Sequence, residues 1–132
     1  MDIKSSIELV NKALNEIKTL QPHEVKELND KSQCTLIDIR DIRELWKEGT
    51  IKGALHIPRG MLEFWLDPQS PYYKADKFNG DKKMVLYCAL GFRSALATRS
   101  LKDMGFKNVA NAIGGFEALK SEGLPIEKKE KK

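Results

Sequence analysis

A chain of 132 residues and 15.0 kDa, 41% hydrophobic and 32% charged, is long enough for one domain with an ordinary core. No apolar run approaches the roughly 20 residues that cross a bilayer, and the opening MDIKSSIELV puts charges where a signal peptide needs an apolar stretch. The expected location is therefore the cytoplasm. The net charge of +4 owes much to the closing EKKEKK, read as a solvated tail over 127–132, and the remaining body lacks the basic and aromatic interleaving of a nucleic-acid binder.

Along the chain, Ser5-x-x-Glu8 reads as a capping box, and Ile7, Val10, Leu14 and Ile17 follow at helical spacing. Residues 1–21 are expected to be an amphipathic helical extension, packed back on the domain or used in a dimer contact. Pro22 opens a short helix through HEVKELND with Val25 and Leu28 inward. CTLIDI, Cys34 to Ile39, reads as a buried strand, Arg40 to Glu48 as a helix stopped by Gly49, and Ala54 to Ile57 as a short strand ended by Pro58. Residues 61–83 form a long connection that holds Phe64, Trp65, Tyr72 and Tyr73. MVLY, Met84 to Tyr87, is a second buried strand; Ser94 to Met104 is a helix closed by Gly105; VANAI, Val109 to Ile113, is a third strand. Gly114-Gly115 then turns into a last short helix that ends at Gly123. Alternating strands and helices predict an α/β fold with a mainly parallel central sheet and helices on both faces.

In such sheets ligands sit outside the carboxyl ends of the strands, and Cys88 follows MVLY directly. The segment Ala89, Leu90, Gly91, Phe92, Arg93, Ser94 can curl so that successive backbone N–H groups point inward, with Gly91 free to take positive φ. Ser94 is expected to cap the following helix, whose positive end faces the same hollow. Such a hollow favours a thiolate over a thiol, and Arg93 adds a planar cationic fork suited to oxyanions. Cys88 alone reads first as a small buried residue ending a strand, as most lone cysteines are; Gly91, Arg93 and the helix start reverse that in favour of a nucleophile. Cys34 and Cys88 lack the spacing of metal ligands, a disulfide is not expected in a reducing compartment, and Cys34 is expected to be inert in its strand.

These residues resemble a single-domain rhodanese over Pro22 to Ile126. The loop pattern Cys-x-x-Gly-x-Arg-Ser stands as Cys88, Gly91, Arg93 and Ser94. LIDIRDIRELWKEGTIKGALHIP matches the first signature through Asp38, Arg40, Glu44, Gly49, Gly53, Ala54 and Pro58, and GGFEALKSEGLPIE the closing one through Gly114, Gly115, Gly123 and Pro125. The resemblance implies a rhodanese domain over 22–126 and a thiosulfate sulfurtransferase-like enzyme. Cys88 would take sulfane sulfur from a small anionic donor such as thiosulfate as a persulfide, then pass it to cyanide, a thiol or a relay protein. No metal or organic cofactor, nucleic acid or membrane is implied. Asp38 and Arg40, two apart on one strand face, are expected to form an ion pair that braces the site. Arg59 is expected either to line the pocket or to be solvated, and Phe92 to form an apolar wall or plug the core.

Two positions depart from the family pattern: Thr50 stands where His is usual, and Leu119 where Trp is usual. Both read as structural. The rival activity is a cysteine-based phosphatase, some of which share this fold; they place five residues between Cys and Arg, and here there are four, Ala89 to Phe92. A regulatory rhodanese-like binding module is the non-enzymatic alternative, and inactive members typically lack the cysteine.

Overall fold

The computed structural model describes residues 2–77 and 82–131. Helix α1 (Ser6–Glu16) begins where the Ser5 side chain accepts the Glu8 N–H. It leads into β1 (Thr19–Leu20) and α2 (Pro22–Asp30), where the Glu24 carboxylate accepts the Gln21 N–H at 2.9 Å. Strand β2 (Cys34–Asp38) is followed by α3 (Ile42–Glu48), β3 (Thr50–Ile51) and β4 (Leu55–His56). A 3-10 turn at Arg59–Met61 enters α4 (Leu62–Leu66). Then come β5 (Lys83–Tyr87), α5 (Phe92–Met104), β6 (Val109–Ala112), α6 (Gly115–Ser121) and β7 (Ile126–Glu127).

Five strands pair in the order β1-β6-β5-β2-β4, every pair parallel. Each parallel connection needs a crossover, and the helices that supply these cover both faces. One face packs Leu20, Leu36, Val85, Tyr87, Ala110 and Ala112 against Val25 of α2 and Phe116 and Leu119 of α6. The other packs Ile37, Ile39, Met84, Leu86 and Cys88 against Leu62 and Leu66 of α4 and Ala97 and Leu101 of α5. The period-2 alternation along β5 separates two neighbours: Tyr87 joins the first core and Cys88 the second. Leu119 is fully buried in the first core, an apolar replacement that fills its place.

Several details differ from the sequence reading. The thirteen-residue α5 starts at Phe92 and its N-cap is Gly91, in the left-handed region at φ 104°. Ser94 therefore lies inside the first turn rather than capping it. Helix α3 starts later than Arg40 because Asp41 caps it: its carboxylate accepts the Arg43 N–H at 2.9 Å while Glu44 accepts the Asp41 N–H at 3.3 Å. In α1 the buried residues are Val10 and Ala13, while Ile7 is exposed; the stripe is narrower than its spacing implied, and it packs on α5. The strand expected over Ala54 to Ile57 shortens to Leu55–His56, and the last helix ends at Ser121 rather than Gly123. The connection 61–83 contains α4 and ends in the first residue of β5; its residues 78–81 lie outside those described. Glu127, at the start of the basic tail, pairs with Thr50 in a small antiparallel ribbon of β3 and β7.

Candidate active site

Cys88 follows β5 at the carboxyl edge of the sheet and is 1% exposed. The Gly91 N–H donates to its Sγ at 3.1 Å and the Ser94 N–H at 3.4 Å. The Ser94 hydroxyl lies 3.4 Å from the same atom. Two backbone donors and a hydroxyl thus converge on one sulfur, at the positive end of α5. The arrangement suits a sulfur that carries negative charge. Ser94 contributes through these contacts, and its carbonyl accepts the Thr98 hydroxyl at 2.8 Å.

The loop's carbonyls must point elsewhere, and α6 takes them. Phe116 N–H donates to Cys88 O at 2.7 Å and Glu117 N–H to Ala89 O at 3.4 Å. This approach is open only to glycine: a Cβ at Gly115, φ +61°, would lie 2.5 Å from Cys88 O and 2.6 Å from Ala89 O. Gly115 was legible in the sequence as half of a Gly-Gly turn, but its duty beneath the cysteine loop was not. Leu90 and Phe92 are 59% and 54% exposed, so Phe92 does not plug the core.

Arg93, in the first turn of α5, spans from the loop to α3. Its Nη1 meets Glu44 Oε1 at 2.7 Å and its Nη2 meets Glu44 Oε2 at 3.0 Å, a two-pronged pair. The Arg93 hydrogen bonds hold the Glu44 carboxyl below the usual carboxylate range, against the opposing effect of partial burial. Glu44 appeared in the sequence only as a signature position; its partner lies 49 residues away, and no local pattern announces such a contact.

Asp38 and Arg40 do form an ion pair, and both side chains are fully buried. Arg40 Nη2 meets Asp38 Oδ2 at 2.9 Å and Gly49 O at 2.6 Å, and the guanidinium lies 4.1 Å over the Phe116 ring. Thr50 donates to Asp38 Oδ2 at 2.8 Å and shares a 2.8 Å hydrogen bond with the Tyr87 hydroxyl, which also accepts the Ile51 N–H. Burial pushes the Tyr87 phenol far above its ordinary value, so it stays neutral. The network locks the β2–α3 junction to β3 and to the end of β5, and Thr50 serves it with a hydroxyl. Arg59 lies on the other side of that edge, where Glu63 holds its Nη1 at 2.8 and 3.0 Å and also takes the Ser100 hydroxyl. Cys34 is buried at the opposite end of the sheet, where desolvation raises its thiol pKa. Among the described residues, no three His, Cys, Asp or Glu side chains are placed to hold a metal, and no helix is long and apolar enough to cross a membrane.

The Rhodanese-like domain family matches residues 21–122. The thiosulfate sulfurtransferase GlpE of Coxiella burnetii is 33% identical over 104 residues, which cover 79% of this chain and 88% of that protein. The tRNA uridine(34) hydroxylase of Hamiltonella defensa is also 33% identical, over 111 residues and 81% of this chain, but the match spans only 30% of that longer protein. Among solved structures, a Rhodopseudomonas palustris CGA009 protein of unknown function, described as a possible tyrosine phosphatase, superposes with a TM-score of 0.89 at 43% identity, covering 96% of this chain and 97% of that one. The chain belongs to the rhodanese-like domain family.

Proposed function

We propose that the protein is a sulfurtransferase that carries sulfane sulfur as a Cys88 persulfide. The observation that supports this most directly is the convergence of the Gly91 and Ser94 N–H groups on Cys88 Sγ at 3.1 and 3.4 Å. The thiolate attacks the outer sulfur of a donor, thiosulfate being the simplest; the donor's S–S bond breaks and sulfite leaves with the electron pair. A thiophile, cyanide or a thiol on a small molecule or a relay protein, then takes the outer sulfur and restores the thiolate. The two half-reactions make the kinetics ping-pong. Donors already aimed at the sulfur stabilise the charge it carries in both steps with little reorganisation. The GlpE relative's name supports this reading.

The second reading is a cysteine phosphatase, favoured by the description of the Rhodopseudomonas palustris structure. Four residues between Cys88 and Arg93 make a ring closed tightly on one sulfur, whereas a phosphoryl group must present three oxygens to donors while its phosphorus lies in line with the thiolate. One experiment separates the two. Intact-mass spectrometry after thiosulfate or an organic persulfide should show one added sulfur atom, removed by cyanide and absent in Cys88→Ser. The same preparations should leave a generic aryl phosphate intact. Cys88-dependent phosphate release without sulfur loading from any donor would reverse the assignment.

A further inference from the structure

Arg93 is the one cationic side chain in the segment Cys88 to Ser94, and its fork is already filled. Both terminal nitrogens lie on Glu44 oxygens, at 2.7 and 3.0 Å. Glu44 is not a free arm. It is the third residue of α3, and its Oε1 also accepts the Asp41 N–H at 3.3 Å, so the helix cap that fixes α3 fixes the carboxylate too. The pair is neutral overall, and its members are 43% and 29% exposed. Around it the rim offers Leu90 and Phe92, both exposed and apolar. A thiosulfate dianion entering this hollow must displace a carboxylate from a two-pronged pair or approach with that negative charge in place. A donor of lower charge meets a smaller obstacle and can lay its organic part on the apolar rim.

With Cys88 as the sulfur carrier, as proposed above, we infer that Glu44 is a selectivity residue that biases the site toward organic persulfides, which carry at most one negative charge on the sulfur, and against dianionic thiosulfate. In that reaction the Cys88 thiolate attacks the outer sulfur of R–S–SH. The S–S bond of the donor breaks, R–S⁻ leaves with the electron pair, and the outer sulfur keeps its proton as Cys88–S–SH. No external oxidant or reductant is consumed. Glu44 touches no reacting atom: it acts through Arg93 and through its own charge at the mouth.

The test is the full-length Glu44→Gln variant, because Gln retains the side-chain acceptor for the α3 cap while losing the charge. Time courses of sulfur loading at Cys88, read by intact mass, are compared for dianionic thiosulfate and for the persulfide of 2-mercaptoethanol, which carries at most one negative charge. Relative to wild type, the ratio of the two loading rates should move about fivefold to tenfold toward thiosulfate, with a smaller shift at high salt, where surface charge is screened. Glu44→Asp keeps the charge but withdraws it from Arg93, and should shift the ratio the same way by less; it serves as the test if circular dichroism shows Glu44→Gln to be unfolded. An unchanged ratio in a folded variant, or equal loss with both donors, overturns the role of Glu44 and leaves sulfur carriage standing. Failure of both donors to load wild-type Cys88 overturns sulfur carriage and this selectivity together.

Discussion

Tyr87 and Cys88 are adjacent in the chain and belong to two polar centres of opposite character. On the Tyr87 side, the carboxylate of Asp38, the guanidinium of Arg40, the hydroxyls of Thr50 and Tyr87 and the carbonyl of Gly49 satisfy one another. On the Cys88 side, donors converge on a single sulfur that returns little to them. The first centre is closed: its groups have exhausted their partners, which is what a buried polar network needs in order to hold a fold together. The second has donor capacity directed at one atom. Depth of burial does not separate them, since Arg40 and Cys88 are both inaccessible. Completeness of partnering does.

The sharpest way to break the comparison is to leave the closed centre unbalanced. Asp38→Ala strands a buried guanidinium, which should cost about 3–5 kcal/mol and lower the melting temperature by roughly 10–20 °C. The folded fraction should still acquire sulfur from donors at low temperature. Collapse of sulfur loading with no change in melting temperature would show that Asp38 belongs to the reacting centre instead.

Gly115→Ala tests the open centre with a smaller effect on stability. The added methyl meets the Cys88 and Ala89 carbonyls at 2.5 and 2.6 Å, so loop or helix must shift. A stability loss of about 1–3 kcal/mol is expected for strain of this kind. Loading of Cys88 should suffer more, by about 100-fold, because the donors lose their aim. A chemical denaturation curve beside the loading rate gives both numbers, and a variant that loads at the wild-type rate would refute the role assigned to α6.

The smallest effect concerns Glu44. Its folded-state carboxyl lies below its ordinary value because of Arg93, so the pair's contribution is present at neutral pH and is lost as pH falls through the ordinary carboxylate range and below it. Thermal melts of wild type and Glu44→Gln should differ most at neutral pH and converge in acid. A difference independent of pH would place the contribution of Glu44 in packing.

The cysteine loop was legible in the sequence because its signals are local: an apolar strand, a cysteine, a glycine two residues before an arginine. β5 needed only its apolar run, and the end of α5 only the stop at Gly105. Distance in the chain hid the rest. β1 and β3 are two residues each and exist only because β6 and β7 pair with them, so no propensity of their own could reveal them. Ser94 looked like a cap because serine favours that place, but the left-handed turn at Gly91 starts the helix earlier. The Asp38–Arg40 pair followed from its two-residue spacing, whereas Thr50 and Tyr87 join it from β3 and β5. Glu44 and Gly115 reach the site from other elements, and only tertiary packing brings them there.

The hydrogen bonds from α6 to the back of the cysteine loop also tie the site to a late part of the chain. Cys88 leaves the ribosome well before Phe116 and Glu117, whose N–H groups draw the loop's carbonyls away from the sulfur. Without α6, the Cys88 and Ala89 carbonyls would lose these two partners. The geometry around Cys88 Sγ therefore depends on the closing segment of the domain, and a chain ending before Gly114 would keep the cysteine and lose the α6 donors behind its loop.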